Sequence, residues 1–211
     1  MGWSKDDSKR RGYHHGNLRE ALIAAALKLI GEKGPAGFTF AEAARSAGVS
    51  PAAPYRHFRD RDELMADVAA RGFEEFAEVL EKAWDQGKPH PYRAMENLGR
   101  AYLGFARREP AYYAAMFEAQ VPTNASPELT KASDRAFGIL RQACEALCGL
   151  MPADKRPPAL MMSLHIWSLS HGIASLFARG DAARRKIPMP AEDLLEAGLL
   201  LYLRGLGLEG L

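Results

Sequence analysis

The sequence predicts an all-α fold of about nine helices, built from an N-terminal three-helix helix-turn-helix unit and a larger helical body. Three observations carry that expectation. Apolar residues recur at helical spacing, and no alternating strand-like run stands out. Side-chain caps, prolines and glycines fall where such helices would start and stop. With 47% hydrophobic and 26% charged residues, the 211-residue chain has the composition of a packed core rather than of disorder.

In order along the chain, Asn17 is placed to cap a first helix whose apolar positions are Leu18, Ala21, Leu22, Ala25, Ala26 and Leu29, ending near Gly34-Pro35. Thr39 caps a short second helix, with Glu42 completing a capping box. Gly48 breaks it, and Ser50-Pro51 starts a third helix as a cap followed by a first-turn proline. Asp60 caps a long fourth helix, with Glu63 expected to complete another capping box. That helix extends to about residue 86, roughly 40 Å at about 1.5 Å per residue. Further helices are expected over 92–107, 110–120, 127–149, 157–178 and 191–206, with short gaps marked by Pro or Gly. The natural division puts a compact three-helix unit with a basic arm at 1–59 and a larger helical body at 60–211, with 60–86 as the connecting helix.

The net charge of +2 says little about partners, but its distribution says more. Residues 1–60 hold ten Lys/Arg against six Asp/Glu, net +4, and the remainder is net −2. A basic first part on a mildly acidic body points to a polyanion for that part alone. The N-terminal stretch lacks an apolar targeting core, and only Cys144 and Cys148 occur, so a reducing cytoplasm is expected. Residues 157–178 contain no Asp, Glu, Lys or Arg, but four Ser, two His and two leading prolines argue for a helix buried nearly all round by protein, not for a membrane span.

The stretch AARSAGVSPAAPYRHF, residues 43–58, reads as two short helices joined at a corner. Ala43 and Ala44 are small where the helices approach, and Gly48 permits the positive φ of the turn. Phe40 and Phe58 are expected to point inward. Pro51, Ala52 and Ala53 form a face slim enough for a major groove, where alanine meets a thymine methyl. Tyr55, Arg56 and His57 supply a hydroxyl and cations for phosphates. Ahead of the first helix, Lys9, Arg10, Arg11, His14 and His15 suit backbone contacts or a minor-groove reach. The other reading of each is a solvated corner and a frayed terminus. No cofactor or metal is expected, since His14-His15 has no companion ligands.

GFTFAEAARSAGVSPAAPYRHFRDRDELM resembles the DNA-binding domain of TetR-family transcriptional regulators. Position by position, the resemblance implies phosphate contacts by Thr39, Tyr55, His57 and Arg61, and base-facing positions at Pro51, Ala52, Ala53 and Arg56. Ser50, the cap of the recognition segment, and the arm residues Arg10 and Arg11 complete the expected interface. Two departures stand out. Pro54 replaces a common aliphatic residue and removes the N–H that would bond Ser50. Ala41 has no hydrogen-bonding side chain, so polar base contacts are few and shape readout carries more of the specificity.

In the body, Trp167, His171 and Gly172 form W-x-x-x-H-G, which resembles a C-terminal domain type of some TetR-family members named for those three residues. Trp167 and His171 lie one turn apart, and Gly172 is expected to admit a close neighbour. Two readings stand here: a ligand-pocket wall, or a satisfied core pair. Candidate pocket neighbours are Tyr102, Phe105, Met116, Phe117, Leu140, Cys144 and Leu147. The two cysteines are otherwise core thiols, because a bridge one turn apart in a regular helix is strained. Leu194, Leu195, Leu199, Leu200, Tyr202 and Leu203 cover too wide a face for one internal contact, so 191–206 is expected to pair with 157–178 across a two-fold axis. The other reading is that one monomer's core absorbs both helices.

The resemblance implies a homodimeric regulator that is not an enzyme. It is expected to be a repressor released from a palindromic double-stranded DNA operator by a small hydrophobic or aromatic effector. Two readings from other classes are an all-helical enzyme acting through His171 and a helical protein-interaction adaptor. The first lacks a nucleophile–base–orienter set, and the basic arm argues against the second.

Overall fold

The computed structural model of the chain describes residues 18–178 and 186–208. Among these it contains eight α-helices and no strand. They are α1 (Leu18–Lys33), α2 (Phe40–Ser46), α3 (Arg61–Trp84), α4 (Pro91–Arg108), α5 (Pro110–Phe117), α6 (Pro127–Gly149), α7 (Ala159–Phe177) and α8 (Ala191–Gly205). Asn17 lies outside the described residues.

Local chemistry sets most of these boundaries. Gly34, at φ 79, closes α1 by donating its N–H to the Ile30 carbonyl. Thr39 and Glu42 form the full capping box of α2, each side chain accepting from the other residue's backbone N–H. Asp60 caps α3 by accepting from the Glu63 N–H at 2.9 Å. The expected second capping box is not closed: the Glu63 carboxylate accepts from the Arg59 N–H at 2.7 Å instead of from that of Asp60. At the far end Asp85, Gln86 and Gly87 all have positive φ, so the chain cannot continue as helix and turns over the Trp84 ring.

The expected third helix is a correction. Residues 51–57 form a tight turn with a 3₁₀ segment, Ala53–Arg56, and no α-helix. Two prolines explain it: Pro51 and Pro54 donate no N–H, and each disfavours helical backbone in the residue before it. The only helical ladder left is short, with Ala53 donating to Ser50 and both His57 and Phe58 donating to the Pro54 carbonyl. Pro54 itself is one of the most deeply buried side chains. It serves as the apolar peg that an aliphatic residue would otherwise supply.

Two apolar cores result. The smaller holds Leu22, Ile23, Ala26, Leu29 and Ile30 of α1, Phe38, Ala43, Phe58, the first turns of α3 through Leu64, Met65 and Val68, and Ala114 and Ala115 of α5. Phe58 points inward as expected, but its inward companion is Phe38, whereas Phe40 is half-buried and packs its ring edge-on against Tyr55 at 5.1 Å. The larger core fills the body between α3, α4, α5, α6, α7 and α8. Helix α3 runs through both, and the ion pairs Arg19–Asp67 (2.9 Å) and Arg71–Glu20 fasten α1 along it.

Helix α7 departs from its expected burial. It is long and apolar enough to cross a membrane, but only 33% of that window is buried within one chain. Ile166, Ser170 and Ile173 face the core, while Leu160, Met161, Leu164 and Leu176 lie exposed. An apolar sequence marks the faces that dislike water; it does not say which of them the same chain covers. On α8, Leu195, Leu199 and Leu203 are buried, Leu194, Leu200 and Tyr202 partly so, and Leu201 is 71% exposed.

Candidate functional site

Two regions gather chemistry: the surface around the recognition turn and a cavity inside the body. The turn is held rigid from behind. Gly48, at φ 73, reverses the chain after α2, with its N–H bonded to the Arg45 carbonyl and the Val49 N–H to that of Ala44. Ala43 and Ala44 are fully buried at the corner, where larger side chains would force the elements apart.

In front of this scaffold, Ser50, Pro51, Ala52, Tyr55, Arg56 and His57 are exposed and Ala53 half-exposed. Tyr55 is 63% exposed, braced by Phe40 on one ring edge. Thr39 is exposed at the start of α2, its hydroxyl already occupied by Glu42. The Glu42 carboxyl is drawn down to about 2 by Lys33, then by the Thr39 backbone and hydroxyl. Arg61 is placed differently from the other predicted residues. Its guanidinium lies over the Phe38 ring at 4.8 Å and donates to the carbonyls of Phe38 and Pro35, so it is spent on the α1–α2 loop. Arg10 and Arg11, with Lys9, His14 and His15, lie outside the described residues. Arg45, exposed in the last turn of α2, was not among the predicted residues; its only signal was a cation one turn before the corner.

The cavity has a volume of about 380 Å³ and opens between α3, α4, α5, α6 and α7. Of the predicted residues, Tyr102, Met116, Phe117, Leu140 and Trp167 line it. Phe105, Cys144 and Leu147 do not; they are packed core, at 1%, 0% and 0% exposure. Spacing along one helix cannot separate packed from cavity-facing positions without knowing the neighbours. Sequence reasoning missed Phe73, Phe76 and Leu80 of α3, Leu98 of α4, and Ser133, Asp134, Ala136 and Phe137 of α6. Thr123, Leu164 and Ser170 were missed as well. The run Phe73, Phe76, Leu80 was visible only as a core stripe of a long helix.

His171 stands behind this wall instead of on it. Its Nδ1 is shared by two phenols, Tyr113 at 2.8 Å and Tyr102 at 3.1 Å, and Tyr102 in turn faces the cavity. The imidazole stacks on Tyr113, touches Phe117 edge-on at 4.9 Å, and lies 5.8 Å from the Trp167 ring. Burial lowers its pKa below the ordinary histidine value, with Glu118 opposing. Burial likewise raises Tyr102 and Tyr113, so at neutral pH the three groups are uncharged and exchange neutral hydrogen bonds. The pocket-wall and core-pair readings thus divide between the two residues: Trp167 lines the cavity, and His171 holds the Tyr102 phenol that lines it as well as the buried Tyr113. Gly172 meets nothing within 4 Å, so the close neighbour expected there is absent within one chain, among the described residues. The close helix approaches lie elsewhere, at Gly99 against Leu195 and at Gly198 against Leu169.

Cys144 and Cys148 are both free and buried. Burial pushes the Cys144 thiol up to about 11, which makes it inert packing.

Helix α5 joins the two regions. Ala114 and Ala115 belong to the small core, Met116 and Phe117 line the cavity, and Tyr113 holds His171.

Comparison with known proteins agrees with this architecture. A family model described as bacterial regulatory proteins of the tetR family matches residues 22–68, and one described as a tetracyclin repressor-like C-terminal domain matches residues 95–201. An uncharacterized HTH-type transcriptional regulator, YobS of Bacillus subtilis, is 25% identical over 86% of this chain and 87% of its own length. The HTH-type transcriptional regulator BetI of Rhizobium meliloti is 45% identical over 47 residues, 22% of this chain and 23% of its own. Among solved structures, a protein of unknown function from Rhodococcus sp. RHA1 is 29% identical, with a TM-score of 0.74 over 92% of this chain and 98% of that one. The TetR-family regulator PfmR of Thermus thermophilus, 21% identical with a TM-score of 0.63 over 87% of this chain and 97% of that one, shares the fold. A helix-turn-helix unit on an all-helical body with an apolar cavity, matched over both parts, places this chain in the TetR family of DNA-binding transcriptional regulators, which are not enzymes.

Proposed function

We propose that the chain is a homodimeric repressor that leaves a palindromic operator when a small hydrophobic or aromatic molecule fills the body cavity. The observation that carries this reading is the dual membership of α5, one face in the DNA-binding core and the other on the cavity. A molecule that wedges Met116 and Phe117 shifts the same helix that packs Ala114 and Ala115 against α1 and α3. It does so only through its differential affinity for the two states.

In this reading the DNA-binding domain comprises residues 1–59 with the first turns of α3 completing its core, and the remainder is the effector and dimerisation body. Tyr55, His57 and Thr39 meet phosphates, with the arm residues Arg10 and Arg11 adding backbone contacts. Ser50, Pro51, Ala52, Ala53 and Arg56 face the bases. Arg61 acts indirectly, by holding the loop that presents Thr39. Trp167, Tyr102, Met116, Phe117 and Leu140 contact the effector. The dimer forms through 157–178 and 191–206, whose uncovered leucines support it.

The test is direct. Protein-bound genomic fragments are recovered, and their affinity is measured by fluorescence anisotropy while small aromatic compounds are titrated. The reading expects a compound that releases DNA from the wild type and does so less well from Trp167→Phe, which keeps the fold. Release unaltered in Trp167→Phe, Tyr102→Leu and Phe117→Leu alike would put the effector elsewhere.

A further inference from the structure

Resting on the cavity as effector site, we propose that its effector is a lipophilic monocation: an aromatic or alkyl body carrying one ammonium-type charge. The charge inventory of the wall carries the argument. Six rings line the space, Phe73, Phe76, Tyr102, Phe117, Phe137 and Trp167, and the negative π-face of such a ring attracts a cation while the wall tolerates varied apolar shapes. Among the described residues, the only charged side chain lining the cavity is an anion, Asp134 on α6.

Asp134 is available. It is exposed at the cavity rim and has no ion-pair partner among the described residues. The next residue along, Arg135, does not neutralise it, because its guanidinium is turned to Glu74 and Glu81 of α3. No Lys or Arg among the described residues lines the space, and His171 behind the wall is neutral at physiological pH. The remaining polar groups, the hydroxyls of Thr123, Ser133, Ser170 and Tyr102 and the Trp167 indole N–H, are uncharged. A carboxylate entering such a site would be desolvated among rings with no countercharge and with an anion at the door. A cation would meet ring faces inside and a carboxylate at the rim.

Three probes with one ring system separate the possibilities: 1-naphthylmethylammonium, 1-naphthalenemethanol and 1-naphthylacetate. Their affinities for the full-length dimer are measured by calorimetry, beside their ability to release a recovered operator fragment. The expected order is cation first, by roughly tenfold over the alcohol, with the acid weakest. Asp134→Asn, a rim change that leaves the core untouched, is expected to reduce the preference for the cation over the alcohol several-fold. It should leave the affinity of the alcohol unchanged. If the alcohol or the acid binds as tightly as the cation and releases DNA, the charge assignment is overturned and the effector-cavity reading stands. The same holds if Asp134→Asn leaves the preference intact. If none of the three binds, and Trp167→Phe changes no release by any compound, both fall.

Discussion

Tyr55 shows how much a single residue at the recognition turn is expected to carry. Its ring is braced by Phe40 while most of it remains in solvent, so removing only the hydroxyl leaves the packing alone. Tyr55→Phe is expected to weaken operator binding by about 0.5–1.5 kcal/mol, more if the phosphate charge strengthens the bond, with no change in melting. Anisotropy at matched salt checks this, and equal affinity would remove Tyr55 from the interface. His171 makes a different kind of prediction. Because burial lowers its folded pKa below 6.5, the unfolded chain binds the proton more readily than the native one. Stability therefore falls as pH drops from about 7 through about 6.5 towards the lower folded value, and it does not fall above that window. His171→Asn is expected to lower the melting temperature at neutral pH but to flatten that pH slope. A slope unchanged in the variant would assign it to another group.

Among the elements, the capping signals were legible because they are local. The Thr39–Glu42 box, the Asp60 cap, and proline at the start of α4, α5 and α6 each need only a few neighbouring residues to act, whereas the Glu63 half of the second box went to the Arg59 N–H. Thr39→Val removes the hydroxyl that accepts from the Glu42 N–H at 3.2 Å, and is expected to cost about 1 kcal/mol of stability, with Thr39→Ser restoring it. Denaturant unfolding of the three proteins checks the order. The recognition turn was less legible: its prolines were seen, but the cap-plus-proline start outweighed their effect on the ladder. The cavity was half legible for a related reason. Trp167, Tyr102 and Phe117 announce themselves as aromatic, but which of Phe73, Phe105 or Cys144 faces empty space depends on the packing of five helices at once. Helix α5 gave no sign of bridging two cores, because its eight residues read only as short and apolar.

Across the whole molecule, the exposed apolar stretch on α7 and α8 is where the proposed dimer would form. Leu160, Met161, Leu164, Leu176 and Leu201 leave a face that water covers poorly, and a two-fold pairing would bury it. The double change Leu160→Glu with Leu201→Glu is expected to give a folded monomer by sedimentation, with native helicity and with operator affinity reduced at least about a hundredfold, since two recognition turns no longer act together. An unchanged dimer would move the interface elsewhere. The central claim is that cavity occupancy reaches the DNA by moving two recognition units relative to each other. The most direct measurement is the inter-subunit distance between spin labels at Glu32→Cys on α1, taken free, on operator DNA, and with a compound that releases the operator. Cys144 and Cys148 stay unlabelled because they are buried. The account predicts one narrow distance on DNA, matching units set about 34–36 Å apart in successive major grooves, and a shifted distance when the compound is bound. Identical distances with and without a compound that releases the operator would contradict it.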